Sequence, residues 1–203
     1  MRLEHCERRR GDRVGAKRAG SGLTALALLS ACASYKPVSD TPVKIGRPYV
    51  VRGTTYMPAA DPAYDMLGRA SWHGSESGNR VANGEKFRPK AVTAAHPTLP
   101  LPTYAEVTAL DTGRTILVRI NDRGPFARGR IIDLSRGAAE QLGVRTQGHA
   151  AVRVRVVQPP EKDRKRLRKG KRAPERPRLG AAALARLRAQ FDAAVAAGQL
   201  STR

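Results

Sequence analysis

Three short segments gather polar side chains beside glycines and apolar runs. They are Ala70-Ser71-Trp72-His73-Gly74, Ala82-Asn83-Gly84-Glu85 with Thr93-Ala94-Ala95-His96, and Arg119-Ile120-Asn121-Asp122-Arg123-Gly124-Pro125-Phe126. The most suggestive residue is Asp122, a carboxyl at the end of the apolar run Thr115 to Ile120. Partial burial raises a carboxyl pKa by disfavouring the charged form, whereas the flanking Arg119 and Arg123 would lower it. The direction of those two guanidinium groups decides whether Asp122 can hold a proton and deliver it, as a general acid–base must. The same aspartate also reads as a turn cap within Asn-Asp-Arg-Gly-Pro. Asp133, in Ile131-Ile132-Asp133-Leu134-Ser135, reads as an acceptor for backbone or arginine donors.

Short β-type segments must position these groups: Ala70 to His73, Ala91 to Ala94, Tyr104 to Leu110, Thr115 to Ile120, Arg130 to Leu134 and His149 to Val157. Turn signals at Asn83-Gly84, Asp111-Thr112-Gly113 and Arg123-Gly124-Pro125 separate them. Six short strands predict a mainly β fold, and a small closed barrel more than an open sheet, because closure removes exposed edges. One short helix is expected over Ser135 to Leu142, with Ser135 as N-cap and Gly143 as the stop. Pro48 to Pro58 reads as a hairpin around Arg52-Gly53. Beyond Val157, Glu161 to Arg178 holds ten Lys/Arg and three Asp/Glu with breakers at Gly170, Pro174 and Pro177, which predicts a solvated linker. Ala181 to Ala197 then predicts an amphipathic helix with Leu184, Leu187, Phe191 and Val195 on one face.

The chain of 203 residues carries 38 Lys+Arg against 17 Asp+Glu, a net +21, and its two ends hold most of the excess. Basic residues 1–18 precede the uncharged run Gly22 to Ala31, whose ten residues would reach about 15 Å as a helix, roughly half a bilayer core. This predicts an export signal more than a membrane span. Leu29-Ser30-Ala31-Cys32 resembles the lipobox of bacterial lipoproteins, which implies cleavage before Cys32 and diacylglycerol on its thiol. Ala33 in the following position implies, by resemblance to Gram-negative lipoproteins, the outer membrane facing the periplasm. The expected organisation is a signal peptide over 1–31, a lipidated tether and hairpin over 32–67, the barrel over 68–157, and a basic linker with a C-terminal helix over 158–203. Cleavage would discard Cys6 and leave one cysteine, so no disulfide is expected in the mature chain. Export and an aromatic content of only 4% argue against nucleic acid as the partner of the basic tail.

The segments "ANGE", "TAAH" followed after Pro97 by "TLP", "NDRGPF" and "GRIIDLS" stand in an order and spacing that resemble the rare lipoprotein A family. The resemblance covers roughly Gly68 to Val157. It implies a six-stranded double-psi β-barrel and a lytic transglycosylase of peptidoglycan, acting on the bond between N-acetylmuramic acid and N-acetylglucosamine. In that chemistry the sugar's own C6 hydroxyl is the nucleophile, so one carboxyl serves as acid and then base. No cofactor and no metal are implied. Asp122 would be the acid–base, with Glu85 and His96 completing the catalytic set by hydrogen bonding substrate and polarising the acid. Trp72, Asn83 and Arg123 would bind substrate, although Trp72 reads equally as a core-edge aromatic, Glu85 as a solvated loop charge and His96 as a loop histidine. Implied partners are glycan strands, a membrane through Cys32, and division-site proteins. A non-catalytic peptidoglycan-binding or division-associated lipoprotein using the same groove is the alternative. The chain departs from the family pattern at His73, Val81 and Arg88, where Tyr, Thr and Asp are usual.

Overall fold

Branched apolar residues dominate TILVRIND, and in the structure, a computed structural model that describes residues 38–74 and 78–200, this run becomes a strand buried almost end to end. Cys32 and the expected signal peptide lie outside the described residues. The strands are β1 (Tyr49–Val51), β2 (Thr54–Tyr56), β3 (Asp65–His73), β4 (Thr93–Ala95), β5 (Thr103–Ala109), β6 (Thr115–Asp122), β7 (Arg130–Ser135) and β8 (His149–Val156). Six of them close a barrel in the order β3-β7-β4-β6-β5-β8. Pairs β3/β7 and β4/β6 are parallel and the other four are antiparallel. Parallel neighbours need crossover connections, so the chain winds around the barrel instead of meandering, and distant segments meet at its ends. β1 and β2 form a separate hairpin turned by Arg52 and Gly53, both at positive φ.

The core is aliphatic: Val92, Val107, Leu117, Val118, Ile120, Ile132, Leu134 and Val152 lose all their exposure. Helix α1 (Arg136–Leu142) covers one side. The Ser135 hydroxyl accepts from Ala138 N at its start, and Gly143 ends it in the left-handed conformation at φ 84. β3 begins at Asp65, ahead of the segment expected from Ala70, because its first half pairs with β8.

Residues beyond the barrel are more ordered than expected. Glu161 to Arg178 is not a solvated linker throughout: α2 (Glu161–Arg168) buries Leu167, and Ala173 joins the same core. Two of its arginines are tied to acids on and beyond α2. Arg168 pairs with Asp40 and Glu161, and Arg176 pairs with Glu106 at 3.2 Å and Asp163 at 3.0 Å. Helix α3 (Ala181–Ala196) buries Phe191 and half-buries Leu184, Leu187 and Val195, while Arg188 donates to the carbonyls of Leu110 and Asp111. The described part of the expected tether also lies on the barrel: Lys44 and Leu101 exchange two backbone hydrogen bonds of 2.8 Å. Among the described residues no helix is long and apolar enough to cross a membrane.

Candidate active site

Barrel register places four residues in a row across adjacent strands. Asp122 on β6 stands opposite Ala95 on β4, Ala95 opposite Asp133 on β7, and Asp133 opposite Ser71 on β3. Asp122 and Asp133 are thus two strand spacings apart, roughly 10 Å, with a methyl group between them. Asp122 Oδ1 accepts from the backbone amides of Ala82 and Arg123, both at 2.8 Å. That fixes the carboxyl, while Oδ2 takes no hydrogen bond from the described residues. Asp133 is engaged: it accepts from Ser71 Oγ at 2.7 Å and pairs with Arg130 at 3.4 Å, and Arg130 also donates to Ser71 Oγ.

Both aspartates open onto a groove of about 460 Å³, whose other walls include Arg52, His73, Arg80 and Phe126. The hairpin is held against it by aromatic packing. Tyr49 and Tyr56 stack at 5.3 Å, Phe126 meets them edge-on at 6.0 and 5.4 Å, and Tyr49 OH donates to the Pro97 carbonyl. The His73 ring lies 5.1 Å from that of Phe87.

Neither flanking arginine gives a guanidinium hydrogen bond to the Asp122 carboxyl, although Arg123 stays within its electrostatic reach. Arg119, 1% exposed, gives a two-pronged pair to Glu85 with both distances 2.8 Å and donates through Nε to Asp40 at 3.0 Å. Burial pushes the Asp40 carboxyl up, but hydrogen bonds from Arg119, Tyr104 and Arg168 hold it below its ordinary value. Arg123 donates to the carbonyls of His96, Leu99 and Ile45, joining three chain segments.

The five other residues assigned to the site therefore have different surroundings. Arg123 lines the groove, but its guanidinium serves backbone carbonyls in place of a ligand. Glu85 is neither solvated nor in the groove: Arg119 and Asn121 occupy its oxygens. His96 is 2% exposed, its Nδ1 accepts from the amides of Thr98 and Leu99, and its ring packs edge-on to Tyr64, so it is turned inward. Its backbone does reach the site, donating to the Asp122 carbonyl at 3.0 Å. Trp72 alternates with Ser71 and His73 along β3 and so points away from the groove; its Nε1 donates to the Arg145 carbonyl and Arg145 lies over its ring. Asn83 Oδ1 accepts from Glu85 N and shapes its loop. Sequence reasoning did not place Ser71, His73, Arg80 or Arg52 around Asp122. Alternation along β3 could have separated His73 from Trp72, whereas the contribution of the hairpin had no local signal. Among the described residues no three His, Cys, Asp or Glu side chains converge as a metal site would require.

A six-stranded closed barrel with two parallel pairs, carrying a loop-bound aspartate at a groove across its strand ends, is of the double-psi β-barrel class. Residues 65–154 match the family described as lytic transglycolase. This part of the chain is thus similar to lytic transglycosylases of the rare lipoprotein A type. It is 51% identical over 114 residues to the endolytic peptidoglycan transglycosylase RlpA of Pseudomonas aeruginosa (strain UCBPP-PA14), covering 55% of this chain and 33% of that protein. The protein of the same name from Yersinia pestis is 50% identical over 112 residues, covering 54% and 30%. That of Rickettsia felis is 38% identical over 137 residues, covering 61% and 60%. The chain thus spans less than two thirds of the length of each. Among solved structures, Streptomyces papain inhibitor is similar at a TM-score of 0.42 and 22% identity, covering 49% of this chain and 100% of that one.

Proposed function

We propose that the chain is an endolytic lytic transglycosylase of peptidoglycan in the cell envelope, with Asp122 as its acid–base. The observation that carries this reading is Asp122 lining the groove with, among the described residues, only its Oδ1 hydrogen-bonded, within a domain whose relatives are named for that activity. Protonated Asp122 gives its proton to the glycosidic oxygen as the bond from C1 of N-acetylmuramic acid breaks. The sugar's C6 hydroxyl closes on C1, and the Asp122 carboxylate takes the hydroxyl proton, so the enzyme returns to its starting state and no water is consumed. Hydrolysis with inversion would need a second carboxylate free to activate water. Asp133 and Glu85 are both engaged by arginine, which supports the one-carboxyl route.

The same reading includes a lipid anchor at Cys32, attachment to the outer membrane from the periplasmic side, and work beside division-site proteins. Incubation of the protein with purified peptidoglycan should release 1,6-anhydromuramyl products. Asp122→Asn should lower their rate by about 10²–10⁴-fold while pelleting with peptidoglycan stays unchanged. Binding without any such product from the parent protein would mean that the groove binds glycan and does not cleave it.

A further inference from the structure

The N-terminal end of the described chain lies against α2. Val38 lines a cleft whose walls also include Lys86, Arg88, Leu167, Arg168 and Gly170, so the chain leaves the barrel toward residue 37 beside α2 and the 85–93 loop. Cys32, the expected lipidation site, is six residues further and can be no more than about 21 Å away along the chain. None of the residues lining this cleft lines the Asp122 groove.

Around this exit the charge is one-sided. On α2, Asp163 and Leu167 face the barrel, and Glu161, Arg164 and Arg168 form an ion-paired flank. At about 100° per residue, Lys162, Lys165 and Lys169 share the remaining flank, directed outward. All three are exposed, as are Lys171 and Lys86 close by, and none of the five has an acidic partner among the described residues. The acids that could neutralise them are already held: Glu161, Asp163, Asp40 and Glu85 each pair with arginine. Glu175 is the exception within residues 158–180.

We propose that this lysine face docks on an anionic phospholipid surface. Charge complementarity and the chain exit together favour that occupant. A lipid-bearing N-terminus would hold the lysines within a short reach of headgroups, where basic side chains close to an anionic surface add electrostatic attraction. The inference rests on the surface of α2 and, for its occupant, on the Cys32 anchor of the reading above, but not on cleavage of glycan, so an inactive groove would leave it standing.

The test is co-sedimentation of the full chain with vesicles of phosphatidylcholine alone or with about 30% phosphatidylglycerol. The ratio of the two partition coefficients removes any contribution from the apolar residues 22–31. The combined change Lys162→Gln, Lys165→Gln and Lys169→Gln should reduce that ratio about a hundredfold, at roughly a fivefold loss per lysine. Arg47→Gln, Arg128→Gln and Arg186→Gln together remove the same charge from exposed positions elsewhere and should leave the ratio nearly unchanged. Raising salt from about 50 to about 500 mM should erase the difference between the lysine variant and the parent. Equal losses in both triple variants, or none in the first, would overturn the proposal. So would retention by purified peptidoglycan sacculi that depends on the same lysines in the absence of vesicle binding.

Discussion

His96 holds its Nδ1 against two backbone amides, which leaves the ring proton on Nε2 and the imidazole neutral. Burial, reinforced by the Arg123 cation, pushes its pKa from 6.5 down to about 3. Between those values the unfolded chain binds a proton that the folded chain refuses. This contribution to stability is therefore complete above about pH 6.5 and is lost progressively as pH falls toward 3. At pH 4.5 it should amount to roughly 2 kcal/mol. His96→Asn keeps an acceptor for the two amides and has no proton to take up, so its urea midpoint should fall less between pH 7 and 4.5 than the parent's. Equal slopes would show that other groups set the acid sensitivity. The importance of this residue could be read from "TAAH", but its inward direction could not, because it depends on amides two and three residues ahead. The same applies to Arg119 and Arg123. Sequence posed the question of which way they point, and the answer lay in partners 24 to 80 positions away.

At the scale of elements, α1 was legible at both ends because Ser135 and Gly143 are chemical signals for starting and stopping a helix. Its close approach to the 88–91 turn was not legible. A Cβ on Gly137 would lie 2.2 Å from the Lys90 carbonyl oxygen, a backbone atom that no rotamer change can move. Alanine in a helix is ordinarily favoured over glycine by about 1 kcal/mol. Here the overlap should outweigh that gain, and Gly137→Ala should destabilise by about 2–3 kcal/mol, lowering Tm by roughly 5–10 °C in a thermal melt. A higher Tm would mean that the 88–91 turn yields. α2 was missed for a related reason. Its sequence is dominated by charge, and only Leu167 marks the inward face; the arginine pairs that hold the helix reach across the chain to Asp40 and Glu106.

For the molecule as a whole, those long-range pairs mean that residues 38–46, the barrel and α2 should unfold together. Leu167 is 2% exposed, and Leu167→Ala should cost about 2–4 kcal/mol. A shift of the single denaturant transition of the whole chain would show that α2 and the barrel are one cooperative unit. A new early transition with the main one unmoved would show that α2 is an independent attachment. The barrel itself was legible as six strands because alternation and turn residues are local. Its strand order was not, since parallel pairing leaves no local trace. Asp122, Asp133 and Arg130 come from residues 65–154, which match the lytic transglycolase family, whereas Val51 and Arg52 come from the hairpin that precedes them. The Asp122 carboxyl and part of the rim can therefore evolve on separate clocks. Exchanging the hairpin tip would re-select what the groove admits while leaving the chemistry inherited, and the tip, which meets nothing around Gly53, offers that freedom without disturbing the barrel.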